Sequence, residues 1–350
     1  MWTESWTRRL PLSPGTLEEH LIWGVLGTAH GLLTADVDGR VTLFGADGEA
    51  TVLGSHDGPA RRLIGDPLGR TPLCASSGDD FAVRLWDPAS GRGHGVLRGH
   101  DGVIHSLAMG VHKGRVLVLS ASADLTAIVW DIATTRPRRT LRGHRDAVYC
   151  ARFLASGLAA TGGEDGTVRV WDLDDDSGGT VLHGHTAPVG ALAADGPHLL
   201  SGSDDGEVIG WDLARSRPHY RIRAHDGWVH DIALHRDLAA TTGDRLVRVW
   251  HAGTGRPVLS LEGHAGPTTK VRFARLDGRD VLVTSAEDLR IRAWDLADGS
   301  EVDGVPTTAE GALFDLGADG RLAVGHGPRL SLHTRGSDRI TDTEQEARAT

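Results

Sequence analysis

A pattern that ends in tryptophan recurs along the whole chain with a nearly constant period. A Trp-Asp pair stands at residues 86–87, 130–131, 171–172, 211–212 and 294–295, and Trp250-His251 fills the remaining interior slot. Phe44 and Leu332 occupy the equivalent slots near the two ends. The 288 positions from Phe44 to Leu332 divide into seven steps of 38 to 44 residues, about 41 on average. A chain with such a period folds each repeat into one supersecondary unit and buries apolar surface by stacking the units.

The interior of each unit alternates short apolar runs with turns rich in Gly and Asp. In residues 189–212, turns at Asp195-Gly196-Pro197 and Asp204-Asp205-Gly206 separate three runs, the last of which ends at Trp211. Short runs joined by hairpin turns predict an antiparallel meander. Helices should be nearly absent, because no segment keeps an apolar period of 3.6 residues.

Four residue types recur at fixed places in six of the units. Each unit has a His before its first run, a Ser or Thr in its second run, an Asp in the turn that follows, and a Trp six residues after that Asp. The six sets are His56, Ser76, Asp80 and Trp86; His100, Ser120, Asp124 and Trp130; His144, Thr161, Asp165 and Trp171; His185, Ser201, Asp205 and Trp211; His225, Thr241, Asp244 and Trp250; and His264, Thr284, Asp288 and Trp294.

These sets resemble the WD-repeat family, and the resemblance covers nearly the whole chain. It implies a hydrogen-bonded network in which the hydroxyl accepts the indole N–H, the His bridges hydroxyl and Asp, and the Asp holds the tight turn. It also implies an all-β fold, a closed β-propeller of four-stranded antiparallel blades. Eight units predict eight blades. Seven, the commonest count in the family, is the alternative and would need one degenerate unit packed outside the ring.

The two terminal units depart from the pattern. Both lack the Gly-His step, and His326 replaces the Asp ahead of Leu332. Because open sheet edges promote aggregation, we expect an N-terminal strand near residues 5–10 to complete the last blade. The predicted domain covers residues 1–334, and residues 335–350 are predicted to form a polar, mobile tail. Trp23 lies in an apolar run, which places it in the core of the first blade.

Charge and composition narrow the function further. The net charge is −10, and Lys occurs only at Lys113 and Lys270. An acidic chain without a basic stripe argues against nucleic-acid binding. No apolar run reaches the length of a membrane span and no leader is apparent, so we predict a cytoplasmic protein with no membrane partner. The composition, rich in Arg, Ala and Gly, suggests a high-GC genome and therefore a stand-alone bacterial protein.

The network residues are also the residue types of a nucleophilic triad. Six equivalent sets that hold Trp side chains favour a structural role, because an enzyme needs one exposed nucleophile. The 19 His residues show no metal-ligand spacing with Cys or carboxylates, so neither a metal nor a cofactor is predicted. We therefore predict that the chain is not an enzyme. The alternative is an enzyme or small-molecule binder that uses His105, Tyr149 and His230 at the channel mouth.

In the resembled family, partners dock on the face that carries the loops before the first strand and between the second and third strands of each blade. The residues carried over to that face are Asp57, Asp101, Arg145, Asp146, Asp226, Trp228, Asp79, Glu164, Asp204 and Glu287, with Arg61, His105, Tyr149 and His230 nearby at the start of the innermost strands. A ring of acidic loops should attract a basic peptide or patch. Trp228 is either a binding anchor or a plug of the channel mouth. We predict a scaffold or adaptor that binds a partner protein, as a monomer or as one subunit of a hetero-complex.

Overall fold

The computed structural model describes residues 1–10, 22–66, 71–175, 178–310, 312–316 and 321–335. Within these ranges the chain forms 32 strands in eight four-stranded antiparallel sheets. The same residues contain no α-helix, and a single 3₁₀ turn lies at Ala155–Gly157. The prediction of an all-β propeller with eight blades is confirmed, and the seven-bladed alternative is wrong. Of the predicted tail, residues 336–350 lie outside the described part of the chain.

The first four blades follow one another along the chain as meanders. Blade 1 contains β2 (Ile22–Thr28), β3 (Gly31–Asp36), β4 (Arg40–Phe44) and β5 (Ala50–Ser55); blade 2 contains β6 (Ala60–Gly65), β7 (Cys74–Gly78), β8 (Val83–Asp87) and β9 (Arg92–Leu97); blade 3 contains β10 (Ile104–His112), β11 (Arg115–Ser122), β12 (Thr126–Asp131) and β13 (Arg136–Arg142); and blade 4 contains β14 (Val148–Phe153), β15 (Leu158–Gly163), β16 (Val168–Asp172) and β17 (Thr180–Leu182).

The remaining blades continue the pattern, except that the last one also uses the first strand of the chain. Blade 5 contains β18 (Val189–Asp195), β19 (His198–Ser203), β20 (Glu207–Asp212) and β21 (Arg217–Arg223); blade 6 contains β22 (Asp231–His235), β23 (Leu238–Thr242), β24 (Val247–His251) and β25 (Pro257–Leu261); blade 7 contains β26 (Thr268–Leu276), β27 (Arg279–Ala286), β28 (Arg290–Asp295) and β29 (Glu301–Pro306); and blade 8 contains β30 (Leu313–Leu316), β31 (Leu322–His326), β32 (Arg329–Arg335) and β1 (Trp2–Arg9).

Burial follows the position of each strand in its blade. The second strands are buried along most of their length on both faces, as in β7, β15 and β19. The fourth strands are largely exposed, as in β9 and β21. First strands of successive blades pack against one another, for example β10 against β14 and β14 against β18. The core therefore consists of apolar layers between neighbouring sheets, and the first strands surround a central channel.

The ring closes through β1, which pairs with β32 at the outer edge of blade 8. The backbone N–H of Trp2 donates to Asp303 Oδ2 in blade 7 at 2.7 Å. On the other side, the indole of Trp6 donates to the carbonyl of Ala46 at 3.1 Å and stacks on Phe44 in blade 1 at a centroid distance of 6.2 Å. One strand thus joins three blades and covers the edge that β32 would otherwise present to solvent.

Blades 2 to 7 each contain one of the six sets of repeated residues, and in each set the hydroxyl is bonded to the indole. The indole donors are Trp86, Trp130, Trp171, Trp211, Trp250 and Trp294, and their acceptors, in the same order, are the side-chain oxygens of Ser76, Ser120, Thr161, Ser201, Thr241 and Thr284, at 2.8–3.1 Å. All six hydroxyl residues are completely buried, and the six Trp residues are buried as well. These sets therefore hold indole rings inside the blades and present no nucleophile to solvent.

Imidazoles and carboxylates extend five of these networks as the sequence predicted. Each of the six His residues places Nε2 at 2.7–3.0 Å from the hydroxyl oxygen of its set. In five blades Nδ1 lies 2.7–3.2 Å from the carboxylate, and these pairs are His56 with Asp80, His100 with Asp124, His144 with Asp165, His225 with Asp244 and His264 with Asp288. Burial lowers the pKa of all six His residues, which keeps the imidazoles neutral.

Blade 5 differs from the expected network. The Nδ1 atom of His185 is buried and has no hydrogen-bond partner, whereas the side chain of Thr186 donates to Asp205 Oδ2 at 3.0 Å. In other blades that carboxylate accepts the backbone N–H of the residue after the His, such as Asp101 or Arg145. The prediction of a hydrogen bond between His185 and Asp205 is therefore wrong, because the hydroxyl of Thr186 binds the carboxylate instead.

Candidate interaction face and channel

The two sets of loops named from the sequence lie at one end of the propeller, because successive strands of a meander run in opposite directions. Backbone hydrogen bonds tie each hairpin to the loop that precedes the first strand. The N–H groups of Asp79, Glu164, Asp204 and Glu287 donate to the carbonyls of Pro59, Ala147, Pro188 and Pro267 at 2.9–3.0 Å. We call this end of the molecule the acidic face.

Most of the acidic side chains on this face point into solvent. Asp57, Asp101, Asp146, Asp226, Glu164 and Glu287 are exposed, as is Arg145, whereas Asp79 and Asp204 are half-buried. Asp79 forms a bidentate ion pair with the guanidinium of Arg61, which neutralises its charge. Burial raises the pKa of Asp204, and the neighbouring Asp205 and Glu164 add to the effect. The negative potential of the face therefore comes mainly from the six exposed carboxylates.

Trp228 is the most prominent apolar side chain of the acidic face. It is 63 % exposed, more than any other described large apolar residue except Met1. Its ring makes an edge contact with the ring of His230 at 6.4 Å, and His230 Nδ1 lies 2.9 Å from the carbonyl of Thr268. Trp228 is not among the residues that line the channel cavity.

A β-bulge shapes the mouth of the channel. The first strand of each blade lies nearest the channel and is called the inner strand. In six blades the inner strand has a register irregularity at its second residue. The residues at these bulges are Trp23, Arg61, His105, Tyr149, Gly190 and Thr269. A bulge redirects a side chain out of the alternating pattern of the strand, and all six line cavities at the mouth.

This geometry corrects the expectation for Trp23. The residue is only partly buried and lines the channel cavity, where the guanidinium of Arg61 lies 4.6 Å from the centre of its ring. The apolar run around Trp23 does form a strand, but the bulge turns this side chain away from the blade core. The assignment to the core of blade 1 was therefore wrong.

The three residues of the catalytic alternative share the cavity without forming a catalytic arrangement. His105 and Tyr149 meet edge to face at 5.1 Å, and the hydroxyl of Tyr149 donates to Glu164 at 2.8 Å. Burial and this hydrogen bond raise the pKa of Tyr149 to about 12, so the phenol stays protonated. The ring of His230 is directed to Thr268 and Trp228 instead. No hydrogen bond joins any two of these three described side chains.

Below the mouth, a cavity of about 560 Å³ continues into the channel. Arg62, Arg152, Lys270 and Arg272 line it together with Asp231. Sequence reasoning missed these cations. Their positions in the repeat could have indicated them. In each blade one inner-strand residue pairs with the Ser or Thr of the network, and each cation lies one residue before or after that residue.

One group of possible metal ligands occurs in the described part of the chain. Suitable atoms of His185, Asp205 and Glu207 all lie within 4.8 Å of one another. Arg221 already pairs with Glu207 at 3.1 Å, and its positive charge would compete with a metal cation there.

Comparison with known proteins agrees with the repeat pattern. The family described as "WD domain, G-beta repeat" matches residues 92–131, 135–172 and 179–212, which include parts of blades 2 to 5. The chain therefore carries WD40 repeats. Among solved structures, the computationally designed Ika8 protein superimposes with a TM-score of 0.76 at 23% identity, covering 93% of this chain and 99% of that one. The WD40 beta propeller domain of Doa1 gives a TM-score of 0.63 at 20% identity over 96% and 98% of the two chains. These likenesses concern the fold.

Curated relatives are larger proteins from eukaryotes. The DENN domain and WD repeat-containing protein SCD1 of Arabidopsis thaliana is 30% identical over 73% of this chain and 22% of its own length. Nuclear distribution protein PAC1-2 of Uncinocarpus reesii is 29% identical over 65% and 57%, and kinesin-like protein KIF21A of Homo sapiens is 28% identical over 81% and 15%. The chain thus spans between 15% and 57% of these relatives. Their sources give no support to the predicted bacterial origin. Among the described residues, no helix has the length and apolar character needed to cross a membrane.

Proposed function

Starting from an eight-bladed propeller that carries WD40 repeats, we propose that this chain is a non-catalytic scaffold that binds a basic protein segment on its acidic face. Propellers of this family generally serve protein interaction rather than catalysis. The observation that carries the proposal is the 63 % exposure of Trp228 beside exposed carboxylates. Large aromatic side chains anchor interfaces when a partner desolvates them, and a polar rim surrounds such anchors.

Trp228 is linked through His230 to two acids of this face, Asp204 and Glu164. Trp228 contacts the ring of His230, and His230 in turn lies close enough to Asp204 to influence its carboxyl group. Asp204 in turn interacts electrostatically with Glu164, which accepts the hydroxyl of Tyr149. A partner with Lys or Arg residues next to an apolar or flat side chain would match both parts of this surface.

The relatives named above place similar repeats inside longer chains, with names that refer to nuclear distribution, to kinesin and to a DENN domain. Such names agree with a role of the propeller as a docking module beside other domains. The cytoplasmic location and the state as a monomer or as part of a hetero-complex remain predictions.

The test uses the purified chain and arrays of short peptides that vary in net charge. We expect the wild type to select peptides rich in Lys and Arg, with affinities that weaken as ionic strength rises. Trp228→Ala should weaken the binding of the selected peptides about 30-fold, which corresponds to about 2 kcal/mol for an interface anchor. Asp226→Lys and Glu287→Lys should each weaken binding of the same peptides.

Two matched variants control for unspecific effects. Val258→Ala removes an exposed apolar side chain from the outer strand of blade 6, and Asp298→Lys reverses a charge in the β28–β29 turn at the opposite end of the propeller. Both should bind like the wild type. Peptide selection without charge preference, or equal binding by Trp228→Ala and Val258→Ala, would refute the proposal.

A further inference from the structure

The charged residues of the channel occupy two positions on the inner strands, one on each side of the residue that pairs with the network hydroxyl. Arg62, Asp231 and Lys270 pair with Ser77, Thr242 and Ser285, each of which directly follows the network hydroxyl residue of its blade. Arg152 and Arg272 pair with Ala160 and Val283, each of which directly precedes the hydroxyl residue. Side chains two residues apart on a strand face the same side. The register therefore places all four cations on the channel side of the ring.

The hydrogen bonds of these cations hold them in place without neutralising most of them. Arg62 donates to the carbonyl of His105 at 2.9 Å, Arg152 to that of Ala151 at 2.8 Å, and Lys270 to that of Phe314 at 2.6 Å.

Only Arg272 has a carboxylate partner, Asp231, at 3.1 Å. Arg62, Arg152 and Lys270 have no ion pair with any described residue. Neutral carbonyl oxygens fix their side chains but leave the positive charge and the remaining N–H groups available to a ligand.

The charges also act on one another across the channel. Burial lowers the pKa of Lys270 to about 8, and Arg272 contributes in the same direction. Burial and the neighbouring Arg152 and Arg61 lower the pKa of Arg62. Like charges that line one channel repel each other and destabilise the protein, unless an anion compensates them. Two carboxylates, Asp231 and Asp315, supply such charges for the four cations.

We propose that the channel binds a small molecule that carries two or more phosphate groups, held by Arg62, Arg152, Lys270 and Arg272. Planar guanidinium groups bind phosphate oxygens through paired hydrogen bonds, and a lysine adds a point charge. The cavity volume of about 560 Å³ lies in the range of small-molecule sites.

The experiment titrates the purified full chain by calorimetry with inorganic tripolyphosphate and, separately, with inositol hexakisphosphate. Sulfate at matched ionic strength serves as the reference for unspecific ion binding. We expect saturable binding of at least one phosphate probe to the wild type. Binding of tripolyphosphate alone would identify an inorganic ligand, and preference for the inositol ester would identify an organic one.

Variants locate the site. Arg152→Gln and Lys270→Met should each weaken binding about tenfold or more, as expected for loss of a charge-assisted contact. Arg142→Gln removes the same kind of charge from the exposed outer strand of blade 3 and should change nothing. Because Arg152→Gln also relieves repulsion, it should raise the melting temperature of the unliganded protein, whereas loss of a merely structural residue would lower it.

The phosphate site in the channel and the peptide site on the acidic face can be disrupted independently. Trp228→Ala should leave phosphate binding intact, and Arg152→Gln should leave peptide binding on the acidic face intact. Absence of saturable binding to the wild type, equal affinity of Arg152→Gln and Arg142→Gln, or preference for an Asp/Glu-rich peptide over both phosphate probes would overturn the proposed phosphate site.

Discussion

Removing one network hydroxyl should destabilise two blades to different degrees. In blade 3 the oxygen of Ser120 accepts the indole N–H of Trp130 at 2.8 Å and lies 2.7 Å from His100 Nε2. Asp124 fixes the other side of the imidazole at 2.7 Å, so the ring cannot turn to find a new partner. Ser120→Ala therefore leaves a buried donor and a buried acceptor unsatisfied. At about 1–3 kcal/mol for each, the expected loss is about 2–6 kcal/mol.

The same substitution in blade 5 should cost less. Ser201 makes the equivalent contacts with Trp211 and His185 at 2.8 and 2.7 Å. However, His185 Nδ1 has no partner, and the Asp of this blade is bonded to Thr186. The imidazole is therefore free to reorient after Ser201→Ala, which leaves mainly the indole N–H unsatisfied. We expect a loss of about 1–3 kcal/mol.

Calorimetric melting measures the difference. With an unfolding entropy of about 2.1 cal/mol/K per residue and 350 residues, 1 kcal/mol lowers the melting temperature by about 1.4 °C. Ser120→Ala should lower the melting temperature by about 3–8 °C and Ser201→Ala by about half as much. Equal losses in the two variants, or a loss below about 1 kcal/mol in Ser120→Ala, would show that the hydrogen bonds of the network do not stabilise the blades in the way described.

Three further outcomes follow from other features of the fold. Because the six network His residues have lowered pKa values in the folded state, stability should be complete above pH 6.5 and fall as the pH drops. The pKa of His185 is about 4, so this residue alone should contribute about 3 kcal/mol to the loss of folding free energy between pH 6.5 and pH 4. Urea unfolding at pH 7, 6 and 5 measures how the free energy of unfolding changes with pH. A free energy that does not change over this range would contradict the prediction. Gly206→Ala should lower the free energy of unfolding in urea by about 1–3 kcal/mol, because φ is +83° and a Cβ would overlap the His225 carbonyl oxygen. Gly114 has a similar φ of +73° but no atom within 4 Å of a Cβ, so Gly114→Ala should lower it by about 1 kcal/mol or less. Deletion of residues 1–9 should expose β32 and cause association visible by light scattering, which a synthetic peptide of those residues reverses; a truncated chain that stays monomeric would contradict the role of β1.

The parts of the fold that depend on local sequence were predictable. Spacing of the Trp slots indicated eight units, and the Asp six residues before each Trp located the hairpins, because both patterns lie within one repeat. The channel cations were not predictable in the same way. Arg62 and Arg152 lie in ordinary strand sequences, and their convergence depends on closure of the ring and on the register within each blade.

Two local deviations were missed for a different reason. A bulge in β2 turns Trp23 from the blade core to the channel, although its neighbours are as apolar as those of any strand. In blade 5, a hydroxyl one residue beyond His185 changes the partner of Asp205. In the first case a regular strand competes with a bulged one, and in the second an imidazole competes with a hydroxyl for the same carboxylate. Residue type and spacing alone do not decide either competition.

The repeated bulge separates what holds a blade together from what the blade presents to a ligand. At this one place the side chain belongs neither to the apolar layers between sheets nor to the hydrogen bonds around the Trp, and it varies from Trp23 and Arg61 to Gly190 and Thr269. Each such blade therefore contributes one interchangeable side chain to the rim of the channel. Substitutions there can alter what is recognised at little cost in folding free energy, so new specificities are accessible by single exchanges on an unchanged frame.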